Sequence, residues 1–255
     1  MFFKKRFIKK YKEKLLKIRK RNRKKLLKQK FEFSKILNHD IKTVLLAQKN
    51  CLELLLKERF NKINLKQKKM LSEILFSNKF LIEIINNAIF LAEIDEKISD
   101  IKFEKVDIIN QAQNCLDEIK YMAKNKEQKI ILDIKNKDIN LNCDKKLIQK
   151  IITNILTSSV SYGFENSDII VSIEENNNEI TFKTKNKSIY MTKEKINSIF
   201  QNTESKNDFN QLGMKLNLNI AKKLVGVHNW DFIATSDEKD KSSTFGFVVK
   251  KHSFI

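Results

Sequence analysis

The chain has 255 residues, of which 41% are hydrophobic and 32% charged, and its formal net charge at pH 7 is +20. This length allows one or two domains with hydrophobic cores of their own. No uninterrupted apolar run approaches the roughly 20 residues that span a bilayer, and the charged N-terminus is unlike a secretion signal. Three histidines and three widely spaced cysteines (Cys51, Cys115 and Cys143) argue against a zinc site, so we expect buried thiols.

The basic charge is concentrated in the first 30 residues, which hold 16 Lys or Arg and a single acid, Glu13. Three interpretations of this arm, residues 1–30, remain open. It extends a helical bundle with its charges solvated, or it lies on an anionic membrane surface, where Phe2, Phe3 and Phe7 would act as apolar anchors. Nucleic-acid binding fits the charge, but no recognition fold accompanies it, so we regard it as the weakest of the three.

Apolar periodicity predicts two long helices in the first part of the chain. The first covers residues 1–57 almost continuously and is broken by the polar stretch from Glu58 to Asn64. The second runs from Leu65 to about Ala92. Two long helices with a short connection form a helical hairpin. A lone hairpin buries little apolar surface, so we expect dimerisation into a four-helix bundle.

Mixed helix and strand patterns follow after Asp95. Helices are predicted over residues 106–125, 145–162 (capped by Asp144) and 214–228, and strands over 129–134, 169–174, 179–184, 230–234 and 244–249. This change of pattern predicts an α+β protein. Its domains would be the basic arm (1–30), the helical hairpin (31–97) and a separate α/β domain (100–255).

The sequence around His39 carries the clearest chemical signal. His39 and Asp40 are adjacent on the first helix, and Thr43 follows one helical turn later on the same face. A solvent-facing imidazole can attack a phosphoryl group, and a neighbouring carboxylate can take its proton. The pattern by itself fits a phosphate-accepting histidine and, equally well, an exposed histidine without a chemical role.

The order of elements and the stretch from His39 to Thr43 resemble the transmitter of a sensor histidine kinase over about residues 30–250. Residues 144–156, 213–228 and 243–247 resemble the N box, the helix after the ATP lid and the closing strand of that family. The resemblance implies an α/β-sandwich domain that binds ATP and Mg²⁺. It also implies that His39 accepts phosphate, that Asp40 accepts its proton and that Thr43 positions the water that attacks an aspartyl phosphate.

Several positions depart from the family pattern. Val44 stands where a proline usually follows, so we expect an unkinked helix there. In the N box, Asn154 is retained, but Ser158 replaces the second asparagine, which holds Mg²⁺ in the family, and Ser161 replaces a lysine. A hydroxyl can ligate Mg²⁺, but it changes the reach and geometry of the site.

The two glycine boxes are also altered. In the first, Asn186 replaces the aspartate that recognises adenine, and residues 188 and 190 are serine and tyrosine rather than glycine. Any of these positions that requires a positive φ would be strained. In the second box Gly213 alone remains of three glycines, and Lys215 could meet a phosphate as a point charge. These changes predict that ATP binds weakly or not at all.

We therefore predict a cytoplasmic homodimer of a two-component pathway, with peripheral attachment to the inner membrane surface left open. It would exchange phosphate between His39 and a response regulator aspartate, by phosphotransfer or phosphatase action rather than efficient autokinase action. The predicted nucleotide residues are Asn154, Ser158, Asn186, Gly213 and Lys215, with Asn154 and Ser158 at the metal. The alternatives are a divergent but active ATP-dependent kinase and a non-catalytic adaptor that binds a response regulator.

Overall fold

A computed structural model describes residues 35–97, 101–200 and 209–251, together with residues 21, 22, 25, 29 and 32. The predictions for the basic arm therefore lie almost wholly outside the described residues. The chain divides into two compact units, of which the first ends at Lys97 and the second begins at Ile98. Each unit is described by itself.

The first unit is a hairpin of two helices, preceded by a π-helical turn at Leu37–Ile41. Helix α1 spans Lys42–Leu56 and helix α2 spans Leu65–Lys97. The two helices pack against each other. Their contact includes a hydrogen bond of 3.1 Å from Asn78 Nδ2 to Gln48 Oε1 and an ion pair of 3.7 Å between Lys79 and Glu53. The predicted hairpin is therefore present.

The start of α2 is set by a reciprocal pair of hydrogen bonds. The backbone N–H of Gln67 donates to Asn64 Oδ1, and the backbone N–H of Asn64 donates to Gln67 Oε1, both at 2.9 Å. This capping box satisfies two N–H groups that would otherwise lack partners at a helix start. The predicted break at Asn64 therefore has a local chemical cause.

Helix α2 also contains the stretch Leu65–Leu91, which is long and apolar enough to cross a membrane by length and composition. The search for uninterrupted apolar runs did not predict this stretch, because Lys79 and Glu83 interrupt it. One such helix is weak evidence for a span, since a long helix inside a soluble helical bundle passes the same test.

The described residues of the second unit form two sheets and four helices. Its strands are β1 (Glu104–Asp107), β2 (Lys129–Ile134), β3 (Asn140–Cys143), β4 (Asp168–Glu175), β5 (Glu179–Lys187), β6 (Asp231–Asp237) and β7 (Ser242–Lys250). Its helices are α3 (Ile108–Asn125), α4 (Lys145–Tyr162), α5 (Lys193–Ile199) and α6 (Phe209–Val227). The main sheet has the order β2-β4-β5-β7-β6, in which β2 and β4 are parallel and the other pairs antiparallel. Strands β1 and β3 form a small separate ladder.

Helix α4 packs against both α3 and α6, and each of the three helices contacts the main sheet, which gives a two-layer α/β sandwich. The core lies between the layers, where Phe182, Phe245 and Phe247 are fully buried beneath the apolar face of α4. Gly246 faces β5 so closely that a Cβ atom there would lie 2.2 Å from the carbonyl oxygen of Phe182. No other residue fits that position without moving a strand.

The structure corrects several predicted boundaries. Val106 belongs to β1, so the helix predicted from residue 106 begins at Ile108. Helix α6 begins at Phe209 rather than Met214. Strand β3 and helix α5 were not predicted, because short elements show too little periodicity to be recognised. The helix around His39 was predicted to be unkinked, since Val44 replaces a proline, and the structure adds a π-helical turn at Leu37–Ile41 that was not predicted.

Candidate functional site

His39 and Asp40 form an exposed hydrogen-bonded pair. His39 Nδ1 lies 2.9 Å from Asp40 Oδ1, and the two side chains are 83% and 67% exposed. An ionised carboxylate only accepts hydrogen bonds, so it fixes the imidazole tautomer with the proton on Nδ1. The other ring nitrogen, Nε2, then keeps its lone pair. The arrangement leaves an accessible ring nitrogen, which could act as a nucleophile, in a ring oriented by the adjacent carboxylate.

The backbone around this pair is unusual. His39 and Asp40 lie within the π-helical turn, whereas Thr43 lies in the first turn of α1 and is exposed. Single π-helical turns inside helices occur frequently at functional sites. The sequence predicted His39 and Thr43 on one face of a helix, and the structure leaves these two side chains and Asp40 accessible to solvent. No pattern in the sequence indicated the π-helical turn itself.

The predicted adenine residue, Asn186, lies near the end of β5 and is 1% exposed. Its Nδ2 makes a long contact of 3.5 Å with the carbonyl oxygen of Lys187, and its buried Oδ1 has no hydrogen-bond partner. A buried acceptor without a donor costs free energy. Asn186 could therefore accept a hydrogen bond from an amino group, which is what the resemblance asks of this position.

Buried hydroxyl groups near Asn186 in the strand register bond to one another. Ser159 on α4 lies 2.6 Å from Thr184 Oγ1 on β5, and Thr184 also donates to the carbonyl oxygen of Phe245. Ser188 Oγ lies 2.7 Å from Ser243 Oγ on β7. All four hydroxyl side chains are fully buried. Their polar atoms form hydrogen bonds with other protein atoms. These bonds connect α4, β5 and β7 to one another.

The two predicted metal residues are engaged within their own helix. Ser158 is fully buried, and its hydroxyl donates to the carbonyl oxygen of Asn154 at 2.7 Å. Asn154 is 3% exposed, and its Nδ2 donates to the carbonyl oxygen of Lys150 at 2.8 Å. Within the described residues no group of three or more His, Cys, Asp or Glu side chains could hold a metal ion. Magnesium prefers several oxygen ligands and retains water, and this pair does not offer them.

The predicted phosphate residues lie inside a helix. Gly213 is the fifth residue of α6 and Lys215 the seventh, because the helix begins at Phe209. Only the first four N–H groups of a helix lack an intrahelical partner. The N–H groups of Gly213 and Lys215 are therefore used by the helix and do not form a phosphate cradle.

The segment that replaces the first glycine box has ordinary backbone geometry. No non-glycine residue from 186 to 192 has a positive φ, so the predicted strain is absent from this described segment. The N–H of Ser188 donates to the carbonyl oxygen of Lys241, and the N–H of Met191 donates to Ser236 Oγ. Ile189 is 65% exposed. Side chains therefore occupy the glycine positions without backbone strain.

His228 follows the last residue of α6, and both of its ring nitrogens have partners. It is buried, Nδ1 lies 2.8 Å from the carbonyl oxygen of Leu224, and Nε2 faces the backbone N–H of Asp144 at 3.4 Å. Burial lowers the pKa of His228, and the hydrogen bond to Leu224 opposes that shift. Its ring packs on Trp230 with the ring centroids 4.6 Å apart, and Trp230 in turn stacks on Phe247 of the sheet.

The cysteines divide between the two units. Cys115 and Cys143 are buried, as predicted, and burial raises the pKa values of their thiols to about 11 and about 12. These values keep both thiols protonated and unreactive near neutral pH. Cys51 on α1 is exposed, so the prediction of a buried thiol is wrong at that position.

Comparison with known proteins identifies the class of the second unit. Residues 143–253 match the family described as Histidine kinase-, DNA gyrase B-, and HSP90-like ATPase. The structure of full-length ShkA in complex with AMPPNP covers 86% of this chain with a TM-score of 0.63 at 16% identity, and this chain covers 45% of that protein. A likeness at this identity establishes the fold. The two-layer sandwich is therefore the ATPase domain fold of histidine kinases.

Curated relatives extend the similarity across both units. Sensor histidine kinase WalK of Bacillus subtilis is 22% identical over 223 residues, which cover 86% of this chain and 36% of WalK. Cell-division control histidine kinase PdhS of Brucella canis is 24% identical over 82% of this chain and 21% of PdhS. The chain spans well under half the length of these relatives. Its sequence is thus similar to sensor histidine kinases over both units.

The described residues offer a nucleotide one candidate contact, and that contact is buried. The unpartnered Oδ1 of Asn186 suits an amino group such as that of adenine. At the other end Asn154 and Ser158 are engaged within α4, and the backbone N–H groups of Gly213 and Lys215 are engaged within α6. The residues present do not fit the phosphates and metal of Mg-ATP in this conformation.

Proposed function

We propose that the protein exchanges phosphoryl groups between His39 and an aspartate of a response regulator receiver domain. The observation that carries this proposal is the exposed His39 ring, with Nδ1 held by Asp40 at 2.9 Å. A nucleophile for a macromolecular partner has to be accessible and fixed in its orientation. His39 meets both conditions.

The transfer balances as a substitution at phosphorus. Nε2 of His39 attacks the phosphorus of an aspartyl phosphate, the N–P bond forms, and the acyl O–P bond breaks to release the aspartate carboxylate. The imidazole gains positive charge during the attack, and the Asp40 carboxylate stabilises it through Nδ1–H. The same steps in reverse return the phosphoryl group to the receiver.

Thr43 supports the phosphatase direction of the proposal. Its hydroxyl is exposed and lies four residues after His39. A hydroxyl can hold a water molecule by accepting one hydrogen bond and donating another. In this function Thr43 orients the water that attacks the receiver's aspartyl phosphate, and His39 is not phosphorylated in that reaction.

Dimerisation through the hairpin completes the proposed site. No residue of α1 is buried, and large apolar side chains of both helices are exposed, among them Val44, Met70, Ile74 and Phe76. Burying such surface is the main driving force for association. A homodimeric four-helix bundle covers this surface and places α2 in a helical core rather than in a membrane.

The misfit of the phosphate and metal residues argues against efficient autophosphorylation. The proposed transfer has no step that uses ATP. In this function the domain of residues 100–255 acts as a structural or regulatory partner of the hairpin, residues 31–97. An active kinase is the second candidate, because residues 143–253 match the ATPase family and Asn186 retains a buried acceptor. Magnesium would then require rearrangement of Asn154 and Ser158.

The receiver partner and the location belong to the same proposal. Histidine kinase ThkA in complex with response regulator protein TrrA has a TM-score of 0.51 to this chain at 13% identity, over 88% of this chain and 64% of that one. That complex supports a receiver as the partner. The proposed location is the cytoplasm, with residues 1–30 extending the bundle or resting on an anionic membrane surface.

The test uses purified full-length protein and the receiver domains of the source genome, phosphorylated with acetyl phosphate. We expect at least one receiver to transfer its phosphoryl group to the wild type, giving an acid-labile histidine phosphate that His39→Gln lacks. Thr43→Ala should keep the transfer but slow net release of inorganic phosphate. If a receiver lost its phosphate and no phosphohistidine formed, only the phosphatase part of the proposal would stand.

Three other outcomes contradict the proposal. Receivers that bind but neither transfer nor lose phosphate would identify an adaptor. Label from ATP and Mg²⁺ on His39 would identify an active kinase. No transfer, dephosphorylation or binding with any receiver would reject the function altogether.

A further inference from the structure

Strand β2 is a free edge of the main sheet. It pairs with β4 on one side, and no strand among the described residues pairs with its other side. Its sequence alternates between an inner face of half-buried apolar residues (Ile130, Leu132 and Ile134) and an outer face that is exposed. On that outer face Ile131 is 45% exposed and lies beside Ile170 of β4, which is 37% exposed. Proteins commonly protect such edges, because unpaired strands recruit other chains.

The direction of the backbone groups decides how a partner strand can align. The N–H groups of Lys129 and Lys135 point toward β4. They donate to the carbonyl oxygens of Ser167 and Ile173. The direction alternates along a strand, so the N–H and C=O groups of residues 130, 132 and 134 point toward the free edge. In an antiparallel pair these outward residues form the hydrogen-bonded pairs.

The charges on the outer face select one alignment with a second copy of β2. When Ile131 faces the partner's Ile131, Lys129 lies opposite the partner's Asp133, and Asp133 lies opposite the partner's Lys129. Residues 130 and 132 then form the hydrogen-bonded pairs, as their backbone groups require. A shift of the pairing centre to residue 130 or 132 would place Lys129 or Asp133 opposite an isoleucine. Neither charge has an ion-pair partner among the described residues.

The opposite edge of the sheet does not share this self-complementarity. Strand β6 pairs only with β7 among the described strands, and its ends are Asp231 and Asp237. Antiparallel self-pairing centred on Ala234 would place Asp231 opposite the partner's Asp237. Like charges directly opposite each other destabilise a strand pair. Charge therefore distinguishes one edge from the other.

We infer that β2 is a self-association surface, on which a second copy of this chain pairs its own β2 antiparallel about Ile131. The contact is isologous, as a two-fold axis requires, because each strand offers the same residues to the other. It joins two five-stranded sheets into one continuous sheet. Its cross-strand pairs are the two isoleucines and two lysine–aspartate pairs, and it does not depend on phosphotransfer by His39.

This surface is separate from the helical hairpin. A pair of short strands buries little area, so the contact is weak between free chains and forms mainly where another contact raises the local concentration. If the hairpin also dimerises, β2 pairing occurs between the two sheets of one dimer or links one dimer to the next. Size measurement of the cross-linked species separates these two arrangements.

The first test introduces a cysteine at the proposed two-fold axis. Ile131→Cys is made in the full chain with Cys51→Ser, since Cys51 is the exposed native thiol. Directly opposite residues in a non-hydrogen-bonded pair have Cα atoms about 4.5 Å apart, which a disulfide can bridge. We expect most of the chain to form a disulfide-linked dimer on mild oxidation. Thr235→Cys on the exposed edge of β6 is the matched control and should stay largely monomeric on a non-reducing gel.

The second test exchanges the charges in the Ile131→Cys background. Lys129→Asp or Asp133→Lys alone places like charges opposite each other at two positions, and we expect cross-linking to slow by about three- to tenfold. The double exchange restores both pairs and should return the rate to within about twofold of the parent. Equal cross-linking at positions 131 and 235, or no cross-linking at 131 in a folded protein, would overturn the inference. If the double exchange cross-links no faster than the single variants, the proposed strand register about Ile131 is wrong.

Discussion

The environments of His39 and Asn186 differ in how their polar atoms are used. The His39–Asp40 pair is exposed and uses one ring nitrogen internally, which leaves the other for a partner. Around Asn186 the hydroxyls of Ser159 and Thr184 are fully buried and bonded to each other. A polar group can act on a partner only if the fold leaves it accessible. The first region keeps that capacity, whereas the second mostly uses it to stabilise the domain.

The largest expected effect tests whether Asp40 acts chemically. Asp40→Asn keeps the size and an acceptor oxygen but removes the negative charge that stabilises the developing imidazolium. We expect the rate of phosphotransfer to His39 to fall at least about 100-fold, measured by rapid quench with a phosphorylated receiver. Asp40 is exposed, so thermal stability should not change. Asp40→Glu is the control and should recover part of the rate, whereas an unchanged rate in Asp40→Asn would remove Asp40 from the mechanism.

A double-mutant cycle tests whether the hydroxyls around Asn186 are structural. Ser159→Ala and Thr184→Val should each lower the free energy of unfolding by about 1–3 kcal/mol, because each leaves a buried partner unsatisfied. The double variant should lose clearly less than the two effects combined, since both partners are removed together. Urea denaturation followed by circular dichroism measures all four proteins. Additive losses would show that the 2.6 Å contact between the two hydroxyls carries no coupling.

The pH dependence of His228 gives a smaller effect within the same domain. Burial holds the pKa of His228 below its ordinary value of 6.5, so the unfolded chain binds this proton more readily than the folded one. Stability should therefore fall as the pH drops below about 6.5, until the lower folded pKa is passed. Asp144 is the nearby acid that opposes the shift.

Trp230 is the only tryptophan and packs on the His228 ring, so its fluorescence reports this titration. We expect a fluorescence change with a midpoint below 6.5 in the wild type that His228→Gln lacks. Comparing the unfolding free energies of the two proteins between pH 7.5 and 5 isolates the histidine contribution. A midpoint at or above 6.5 would show that burial does not control this ring.

The smallest effect concerns the loop of the hairpin. Glu58 has a φ of 54°, and its N–H and that of Arg59 donate to the carbonyls of Leu55 and Leu54. This left-handed position after a helix favours glycine, because a Cβ atom is crowded there. Glu58→Gly should raise the free energy of unfolding by up to about 1 kcal/mol. Glu73→Gly in exposed α2 is the matched control and should lower it by a similar amount, and a destabilised Glu58→Gly would contradict the assignment.

Local patterns predicted much of the second unit. Asp144 and the apolar periodicity of α4 fixed its start and end, and the period-two patterns located β2 and β7 closely. The pattern did not reveal β3 or α5, whose short lengths carry little periodicity. It also did not predict the π-helical turn at His39, because a change of hydrogen-bond register leaves no compositional mark there.

The sequence by itself determined the two-part organisation, the helical hairpin, the sandwich elements and the pairing of His39 with Asp40, because these follow from periodicity and from neighbours in the chain. Only the tertiary structure decided which polar residues are available. The burial of Ser158 and His228, the unpartnered oxygen of Asn186 and the place of Gly213 within α6 each depend on packing between distant segments or on where an element begins. Accessibility is a property of the folded surface, and residue type alone does not set it.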